Sequence, residues 1–432
     1  MGRLFGTDGV RGVANSELTC EMAMNIGRAV AMVLTDNNHR HPKILIGKDT
    51  RISSDMLESA ITAGLCSVGA NVVQLGVVPT PAVAFLVGKY KADAGVMLTA
   101  SHNPCEFNGI KIFSGDGYKL PDALEEQIEA IVLDHADVPP VPTGGDIGSV
   151  TTAPNVVRDY VDHIKSTVPF ALTRMRIGID CANGAASRTA ELLFTELGAE
   201  CHMLADKPNG VNVNDNCGST HMENLMSFVK ENHLDAGIAF DGDADRLIAV
   251  DPQGSLINGD YVLYICGKYL KENGLLHGNT VVSTVMANLG FFKAMEQLDI
   301  ATESTQVGDK YVYECMVKND YMLGGEQSGH IIFKEHATTG DGLLTALKLL
   351  EVMHKTGKEI LALEEGLKIY PQLLINVPVK DKEAAMQADP IVKEVAAINE
   401  ELHGNGRILV RPSGTEPLVR VMVEAESDEL CH

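Results

Sequence analysis

The sequence predicts an α/β protein with three related mixed-sheet domains around a central cleft and a smaller C-terminal α+β domain. Three observations support this fold class: β-rich apolar runs alternate with helical patterns, one order of elements recurs along the chain, and the C-terminal stretch departs from that order. The chain has 432 residues, which at roughly 150 residues per domain is room for about three domains. The predicted domains cover residues 1–150, 151–252, 253–370 and 371–432.

The first repeated unit begins with the β-rich run KILIG at residues 43–47. A helix is predicted next, because apolar side chains recur at helical spacing at Leu57, Ala60, Ile61 and Leu65. The strand-like segments GANVVQLGVV and DAGVML follow, and the unit leads into the polar loop TASHNP.

The same order recurs twice. In the second unit, RIGID at residues 176–180 precedes a helix in AELLFTELGAE, then LDAGIAF and the polar loop DGDADR. DAGV at residues 93–96 matches DAGI at residues 235–238, so the two polar loops are predicted to leave equivalent strand ends. A third, weaker copy starts with TVVSTV at residues 280–285 and places GEQSGH in the loop position. Because ligands bind beyond strand ends in such sheets, the three loops are expected to meet in one cleft.

The C-terminal stretch has a different pattern. RILV and LVRVMVEA flank RPSGTEP and predict a hairpin-like pair of strands, the second of which alternates Val419, Val421 and Val423 with Arg420, Met422 and Glu424. Linkers are predicted in the Pro- and Gly-rich residues 137–150, the DPQG turn at 251–254 and residues 370–380.

Composition narrows the class of partner. A net charge of −23 disfavours nonspecific binding to nucleic acid or acidic membranes, which requires clustered Lys and Arg. An anionic substrate would therefore need a local positive site.

No apolar run reaches the roughly 18 residues of a membrane helix, and the N-terminus has no apolar core of the signal-peptide kind. Nine cysteines without a CxxC pair argue against a disulfide framework and a structural zinc site. We expect a cytoplasmic protein with reduced thiols.

The loop DGDADR is a candidate metal site. Asp241, Asp243 and Asp245 stand at alternate positions after an apolar strand, and such carboxylates converge on one hard cation when the loop curls. An EF-hand would need Gly sixth and Glu twelfth, but these positions hold Arg246 and Pro252. The pattern favours magnesium held for phosphate chemistry over a closed calcium cage, with an acidic solvated turn as the alternative.

Two further loops are candidates for substrate binding. RPSGTEP offers Arg411, two hydroxyls (Ser413 and Thr415) and glycine-centred backbone N–H groups, with Arg420 in the next strand. This set suits a phosphate dianion, although an ordinary turn between strands would use the same Pro and Gly.

GEQSGH supplies Glu326 and Ser328 for sugar hydroxyls and His330 for proton transfer. A histidine after a turn can instead have a purely structural role.

Ser101, in TASHNP, lacks the GxSxG setting of a hydrolase nucleophile. A phosphoryl group on Ser101 would instead place its charge on a cation held by the three aspartates. An ordinary loop serine stays open as the alternative.

Five motifs in order carry a family resemblance. LFGTDGVRGVAN, TASHNP, DGDADR, GEQSGH and RPSGTEP follow one another over nearly the whole chain, which resembles the α-D-phosphohexomutase superfamily. The first motif and the GEQSGH form resemble its glucosamine branch. The resemblance implies four domains facing a central cleft, with the fourth rotating to close it.

The resemblance also implies roles for particular residues. It makes Ser101 the phosphoserine and places Mg²⁺ on Ser101, Asp241, Asp243 and Asp245. Sugar hydroxyls would contact Glu326 and Ser328. The remaining implied residues are Arg11, Lys111, Arg246 and His330 at the reacting end, and Arg411, Ser413, Gly414, Thr415 and Arg420 around the phosphate that is not transferred.

The implied reaction is an isomerisation by internal phosphoryl transfer. It interconverts glucosamine 6-phosphate and glucosamine 1-phosphate, with glucosamine 1,6-bisphosphate or glucose 1,6-bisphosphate as intermediate or activator, and it feeds UDP-N-acetylglucosamine and cell-wall precursor synthesis. Lys111 or His330 would handle the hydroxyl proton. The rival activities are a mutase for mannose or glucose phosphates, a noncatalytic sugar-phosphate binding protein and a phosphatase. A homodimer is the candidate assembly.

Two features depart from the resemblance. Members of the superfamily continue past the last strand into a closing helix, whereas this sequence ends in VMVEAESDELCH, which predicts a less stable fourth domain. Cys105 follows TASHNP and would be reactive if exposed, whereas a buried, inert cysteine is expected.

Overall fold

Three successive α/β units and a fourth unit of a different pattern make up the chain, of which the computed structural model describes residues 3–6, 8–34, 41–412 and 418–432. The first unit contains β1 (Val10–Val13), α1 (Cys20–Leu34), β2 (Lys43–Lys48), α2 (Ile52–Ser67), β3 (Asn71–Val77), α3 (Thr80–Tyr90), β4 (Ala94–Leu98), β5 (Phe107–Ser114), α4 (Asp122–Asp134) and β6 (Val150–Thr152). Its strands form one mixed sheet in the order β1-β5-β4-β2-β3-β6.

Burial explains the composition of this sheet. The four central residues of β2 and all five residues of β4 are buried, and strands covered on both faces read as continuous apolar runs. Helix α2 covers the sheet with the predicted Leu57, Ile61 and Leu65, all buried. The predicted strand and helix are therefore both confirmed.

The second unit repeats the pattern with a smaller sheet. Its elements are α5 (Val156–Ser166), β7 (Arg176–Asp180), α6 (Ala190–Glu196), β8 (Glu200–Leu204), α7 (Glu223–Glu231), β9 (Ala236–Phe240), β10 (Leu247–Val250) and β11 (Leu256–Ile257). The strand order is β11-β10-β9-β7-β8.

The third unit follows directly. Its elements are α8 (Gly259–Glu272), β12 (Thr280–Thr284), α9 (Leu289–Gln297), β13 (Ala301–Thr305), α10 (Asp309–Asn319), β14 (Leu323–Gly325), β15 (Ile331–Phe333), α11 (Gly342–Thr356) and α12 (Ile360–Leu363). The strand order is β13-β12-β14-β15.

One four-strand arrangement is common to all three units. It reads β3-β2-β4-β5, β8-β7-β9-β10 and β13-β12-β14-β15, with three parallel strands and an antiparallel fourth each time. The loop between the third and fourth of these strands contains Ser101 in the first unit, Asp241 in the second and Glu326 in the third. The predicted repetition is confirmed, and it brings the three polar loops to equivalent positions.

The three α/β units share a continuous core. A single cluster of buried apolar side chains includes Phe113 of the first unit, Phe240 of the second and Phe291 of the third. A second cluster, including Ile44 and Leu57, fills the other face of the first sheet. Because one core crosses the unit boundaries, the polar loops of the three units are held in fixed relation to one another.

The fourth unit is built differently. It contains β16 (Gln372–Pro378), α13 (Lys382–Met386), α14 (Asp389–Glu401), β17 (Gly406–Pro412), β18 (Leu418–Ala425) and the short α15 (Asp428–Cys431). Its strands form an antiparallel sheet in the order β16-β18-β17. The predicted pair of strands is confirmed, with a third strand added from residues that the sequence pattern had assigned to a linker.

The central strand of this sheet has the predicted alternation, and both of its faces contain buried residues, with Val419 on one face and Met422 and Glu424 on the other. Val421 and Val423 are half-buried, whereas Met422 and Glu424 on the opposite face are buried. Glu424 is fully buried because its carboxylate pairs with Arg407 and accepts a hydrogen bond from Leu289 N at 3.2 Å. The face that carries Glu424 is the face that meets the third unit.

Membrane-spanning helices were sought within residues 3–6, 8–34, 41–412 and 418–432. None of the helices there combines the length and the apolar character that crossing a bilayer requires.

Candidate active site

The polar loops of the three α/β units and the last two strands of the fourth unit surround a cavity of about 470 Å³. The cavity is lined by Asp8, Arg11, His102, Asp245, Arg246, Thr284, Met286, Val307, Gly308, Asp309, Glu326, Gln327, Ser328, His330, Arg411 and Arg420. Residues from all four units therefore reach one cleft, as the loop positions predict.

Ser101 lies in the loop that follows β4, next to His102, which lines the cleft. Its residue is fully buried, and its hydroxyl Oγ donates a hydrogen bond to Asp241 Oδ2 at 2.6 Å. The two residues are 140 positions apart in the sequence. His102 Nδ1 lies 3.4 Å from the same hydroxyl. The predicted neighbourhood of the serine and the aspartate loop is thus present in the structure.

Asp241, Asp243 and Asp245 form a compact acidic cluster. All three are buried, and one ligand atom from each lies within 4.8 Å of the others. On each residue the Oδ1 atom is buried and has no hydrogen-bond partner among the described residues. Burying a carboxylate oxygen without a hydrogen-bond partner lowers the stability of the folded protein. Hard divalent cations prefer oxygen ligands of this kind. The cluster fits a divalent cation.

The pKa values of Asp241 and Asp245 are shifted in opposite directions. Burial, followed by repulsion from Asp245 and Asp243, raises the pKa of Asp241 well above its ordinary value. Burial also opposes ionisation of Asp245, but attraction to Lys111 and His330 outweighs it and holds the pKa of that carboxyl well below its ordinary value. Asp245 therefore ionises readily, whereas Asp241, beside Ser101, resists ionisation.

Lys111 enters the cluster from β5. Its Nζ atom lies 2.8 Å from Asp243 Oδ2, 2.9 Å from Asp245 Oδ2 and 3.0 Å from Asp8 Oδ2. Burial lowers the pKa of Lys111, but the three carboxylates outweigh it and raise the pKa well above the usual range. Lys111 is thus a buried cation in this arrangement.

Two arginines stand at the same end of the cleft. Arg246 Nε lies 3.9 Å from Asp241 and 3.8 Å from Asp245, and these carboxylates raise the pKa of the Arg246 guanidinium against the lowering effect of burial. Arg11 forms an ion pair with Asp8. Both guanidinium groups reach the cavity and can contact an anion there.

The GEQSGH loop forms the opposite wall. Glu326 Oε1 accepts a hydrogen bond from Gly308 N at 3.1 Å, and Ser328 is exposed to the cleft. Hydroxyl and carboxylate groups so placed can hold sugar hydroxyls.

His330 has two competing contacts at one ring nitrogen. Its Nε2 atom lies 3.1 Å from Asp309 Oδ2 and 2.9 Å from Gly340 N, and one nitrogen cannot donate to the first and accept from the second. Burial would lower the pKa of His330, but Asp309 and Asp245 outweigh it and raise the pKa to about 10. The contact with Asp309 and the raised pKa favour a protonated ring, whereas the hydrogen bond from Gly340 N requires an unprotonated Nε2.

The candidate phosphate-binding residues Arg411 and Arg420 of the fourth unit line the cleft. Arg411 and Arg420 stand directly opposite each other on β17 and β18. Burial and repulsion from Arg420 lower the pKa of Arg411. Two guanidinium groups side by side repel each other until an anion lies between them. Ser413, Gly414 and Thr415 lie outside the described residues.

Sequence reasoning missed a chain of charges that links the first and third units. Lys119 Nζ lies 2.6 Å from Asp8 Oδ1 and 2.5 Å from Asp309 Oδ2, and Asp309 in turn contacts His330. Asp8 belongs to the motif TDGVRG, but nothing in the local pattern of Lys119 or Asp309 marks either residue. Their roles arise only from the packing of two distant segments.

Thr80 was also missed. It begins helix α3, its hydroxyl donates to Asp243 Oδ2, and its backbone N donates to Asp243 O at 2.9 Å. The N-terminus of α3 therefore faces an aspartate of the second unit, which stabilises negative charge there. The sequence signal was a Pro-flanked threonine at a helix start, which capping rules recognise.

Cys105 is half-buried. Burial and the neighbouring Glu106 raise the pKa of its thiol, and a raised pKa disfavours the reactive thiolate. The expected burial of Cys105 is therefore wrong, because the side chain is only partly covered, while the raised pKa of the thiol accords with low reactivity.

Comparisons with known proteins place this geometry in a family. Models of the phosphoglucomutase/phosphomannomutase family match the α/β/α domain I at residues 2–138, domain II at 158–254, domain III at 258–370 and the C-terminal domain at 374–432. The phosphoglucosamine mutase of Clostridium acetobutylicum is 53% identical over 431 residues, which cover 99% of this chain and 96% of that protein.

Solved structures have the same fold. A phosphoglucomutase/phosphomannomutase family protein from Burkholderia thailandensis has a TM-score of 0.80 at 25% identity, covering 99% of this chain and 94% of that one. The N-acetylphosphoglucosamine mutase of Aspergillus fumigatus, solved with GlcNAc-6P and magnesium, has a TM-score of 0.68 at 15% identity over 99% and 93% of the two chains. The similarity to the Aspergillus fumigatus structure, at 15% identity, supports only the shared fold.

The family predicted from the five ordered motifs is confirmed by matches along the whole chain and by the high identity to a named relative. The chain belongs to the phosphoglucomutase/phosphomannomutase family of the α-D-phosphohexomutase superfamily, and within it to the phosphoglucosamine mutases.

Proposed function

We propose that this enzyme interconverts glucosamine 6-phosphate and glucosamine 1-phosphate through a phosphorylated Ser101 and a glucosamine 1,6-bisphosphate intermediate. The observation that carries the proposal is the contact of 2.6 Å between Ser101 Oγ and Asp241 Oδ2, inside a buried three-carboxylate cluster. The name of the relative at 53% identity supports an amino sugar as the substrate.

In the first half-reaction, the bond between phosphorus and Ser101 Oγ breaks as a bond forms from phosphorus to a sugar hydroxyl oxygen. The hydroxyl proton passes, overall, to Ser101 Oγ. In the second half-reaction, the other phosphate of the bisphosphate returns to Ser101 and the steps reverse. The carboxylates around Lys111 and His330 raise the pKa of each group, so each is a candidate to protonate the leaving serine oxygen and to recover a proton from the sugar.

We propose Mg²⁺ as the cofactor, held by Asp241, Asp243, Asp245 and an oxygen of Ser101 or its phosphoryl group. The unsatisfied Oδ1 atoms of the three aspartates support this assignment. When bound, the cation would withdraw charge from the transferring phosphoryl oxygens. Thr80 fixes one ligand, because its hydroxyl and backbone N both donate to Asp243.

The rest of the cleft divides between the two ends of the substrate. Arg11 and Arg246 stand near the reacting end, and Glu326 and Ser328 are placed to contact sugar hydroxyls. Arg411 and Arg420, together with Ser413, Gly414 and Thr415, are the proposed site for the phosphate that is not transferred. The opposed pair of guanidinium groups supports this site, since it suits a dianion.

Replacing Ser101 with alanine tests the mechanism. We expect turnover of glucosamine 6-phosphate, followed by ³¹P NMR, to fall at least about a thousandfold, because the nucleophile is lost. Substrate binding, measured by calorimetry, should persist. Ser59→Ala is the matched control, because Ser59 is an exposed helical serine whose hydroxyl donates to Asp55 O at 2.9 Å. Unchanged turnover in Ser101→Ala would overturn the mechanism.

The rival activities are separated by the same assay. Comparable rates on glucosamine, mannose and glucose 6-phosphates would overturn the amino-sugar assignment, and phosphate release at the mutase rate would indicate a phosphatase. Incubation with glucosamine 1,6-bisphosphate or glucose 1,6-bisphosphate should add one phosphate to the intact mass, mapped to the peptide of Ser101.

Three further predictions belong to this proposal. A homodimer is expected by light scattering, a cytoplasmic location by cell fractionation, and domain boundaries near residues 150, 252 and 370 by limited proteolysis. The product, an amino-sugar 1-phosphate, suits a following nucleotidyl transfer towards UDP-N-acetylglucosamine.

A further inference from the structure

Ser101 has a backbone conformation that serine rarely adopts. Its φ angle is +53°, in the left-handed region that disfavours residues with a Cβ atom. Such conformations persist where the surroundings impose them, and they are concentrated at functional sites. The groups that impose this conformation on the segment 99–107, called here the Ser101 loop, can be identified.

Arg51 is the first of them. Its side chain is fully buried, and its five guanidinium N–H groups all have acceptors. One of these, Nε, donates to Asp49 Oδ2 at 2.8 Å. The other four donate to backbone carbonyl oxygens of the Ser101 loop: Nη2 to Ser101 O at 3.0 Å and Asn103 O at 2.7 Å, and Nη1 to Pro104 O at 2.5 Å and Phe107 O at 3.0 Å. No smaller cation could satisfy this set, because a lysine has three donors on a single atom.

Asp49 orients the guanidinium and joins it to the start of the loop. Its Oδ2 atom also accepts a hydrogen bond from Thr99 Oγ1 at 2.8 Å. Thr99 Oγ1 in turn accepts a bond from Ser101 N at 2.9 Å. The loop is therefore held at both the N–H and the C=O of Ser101 by residues of its own unit.

Asn214 holds the same loop from the second unit. Its Nδ2 atom donates to Ser101 O at 2.8 Å and to Asn103 O at 2.9 Å, the same two carbonyls that Arg51 Nη2 contacts. Asn214 is buried, with 7% of its surface exposed. The unit that supplies the aspartates thus also fixes the serine that faces them.

We propose that Arg51 and Asn214 are positioning residues that clamp the Ser101 loop and aim the Ser101 oxygen at the aspartate cluster. Neither side chain is among the residues that line the cleft, and both hold the loop through its backbone carbonyls. The kinetic part of this inference rests on the proposed function, whereas the conformational part does not.

The test uses Asn214→Gly, since Asn214 has a φ of +57° and glycine keeps that conformation without strain. We expect kcat to fall about 10- to 100-fold with KM unchanged, because a misplaced reacting oxygen slows chemistry but not sugar binding. Hydrogen exchange of the amides of residues 101–107 should quicken at least about tenfold, measured without substrate. Arg51→Lys should change both quantities in the same direction.

Asn216→Gly is the matched control. Asn216 has a φ of +52°, but it is exposed and its side chain donates to Asp215 at 2.9 Å. Its kcat and exchange rates should equal those of the wild type. The clamp is overturned if Asn214→Gly keeps the wild-type kcat or changes KM alone. It is also overturned if Asn216→Gly lowers kcat as much as Asn214→Gly does. A wild type without mutase activity would contradict the proposed function, while faster loop exchange confined to Asn214→Gly and Arg51→Lys would still support the clamp.

Discussion

Buried carboxyl groups outside the cleft also have raised pKa values, and Asp260 is one of them. Asp260, in the first turn of α8, is fully buried and accepts a hydrogen bond from Asn288 N at 2.8 Å. Burial, reinforced by the nearby Glu424, raises the pKa of Asp260 from 3.8 to about 7. At the scale of single residues, this group links pH to the stability of the junction between the third and fourth units.

The sign of that link follows from proton binding. Between pH 3.8 and about 7 the folded protein holds a proton on Asp260 that the unfolded chain has released, so the free energy of unfolding should fall as pH rises through this window. The slope is at most about 1.4 kcal/mol per pH unit for one proton. Asp260→Asn should lack this contribution, as urea unfolding from pH 4 to 8 would measure. Parallel stability curves for wild type and variant would contradict the assignment.

At the scale of elements, helices α1 and α2 approach each other so closely that glycine is required at the contact. A Cβ atom on Gly64 of α2 would lie 2.1 Å from Met24 O of α1, and one on Gly27 of α1 would lie 2.6 Å from Ile61 O of α2. Neither backbone can move without displacing its helix from the first sheet. The pair covers the face of the sheet that carries the Ser101 loop.

Gly64→Ala should therefore destabilise the protein by about 1–3 kcal/mol, because the added methyl group forces the helices apart. Gly88→Ala is the contrasting change, since Gly88 is exposed in helix α3 and a Cβ there meets nothing within 4 Å. That variant should be more stable by about 0.5–1 kcal/mol, because alanine has less backbone freedom to lose. Chemical denaturation of both variants measures the two effects. Equal shifts would show that the close approach does not constrain the helices.

At the scale of the whole molecule, the fourth unit is attached less firmly than the other three. It has few buried apolar side chains, namely Val419, Met422, Ala425 and Cys431, and helix α14 has none. Its described polar links to the third unit include Glu424 and Arg407, which contact Leu289 N and Ala287 O, and Asn405, whose Oδ1 accepts a hydrogen bond from Lys293 Nζ at 3.2 Å. A small unit anchored at one edge of the cleft is suited to move relative to a rigid body of three.

Glu424→Gln should loosen this unit selectively, because it leaves the Arg407 guanidinium without its buried carboxylate. We expect amides of β17 and β18 to exchange about a hundredfold faster, corresponding to roughly 3 kcal/mol. Amides of β2 and β4 should be unaffected. Arg158→Gln provides the control, since its ion pair with Glu196 is 46% and 27% exposed and should contribute less than about 1 kcal/mol. Uniform acceleration across all four units would contradict a separate fourth unit.

The sequence by itself determined the alternation of strands and helices, the threefold repetition and the aspartates of DGDADR, because periodicity and spacing are local properties of the chain. It also marked Ser101, His330 and Arg411 through motifs. Only the tertiary structure decided which distant groups meet: Arg51 and Asn214 on the Ser101 loop, Lys119 between Asp8 and Asp309, and Glu424 against the third unit. These contacts join segments separated by tens to hundreds of residues, and their energies depend on burial, which no local pattern records.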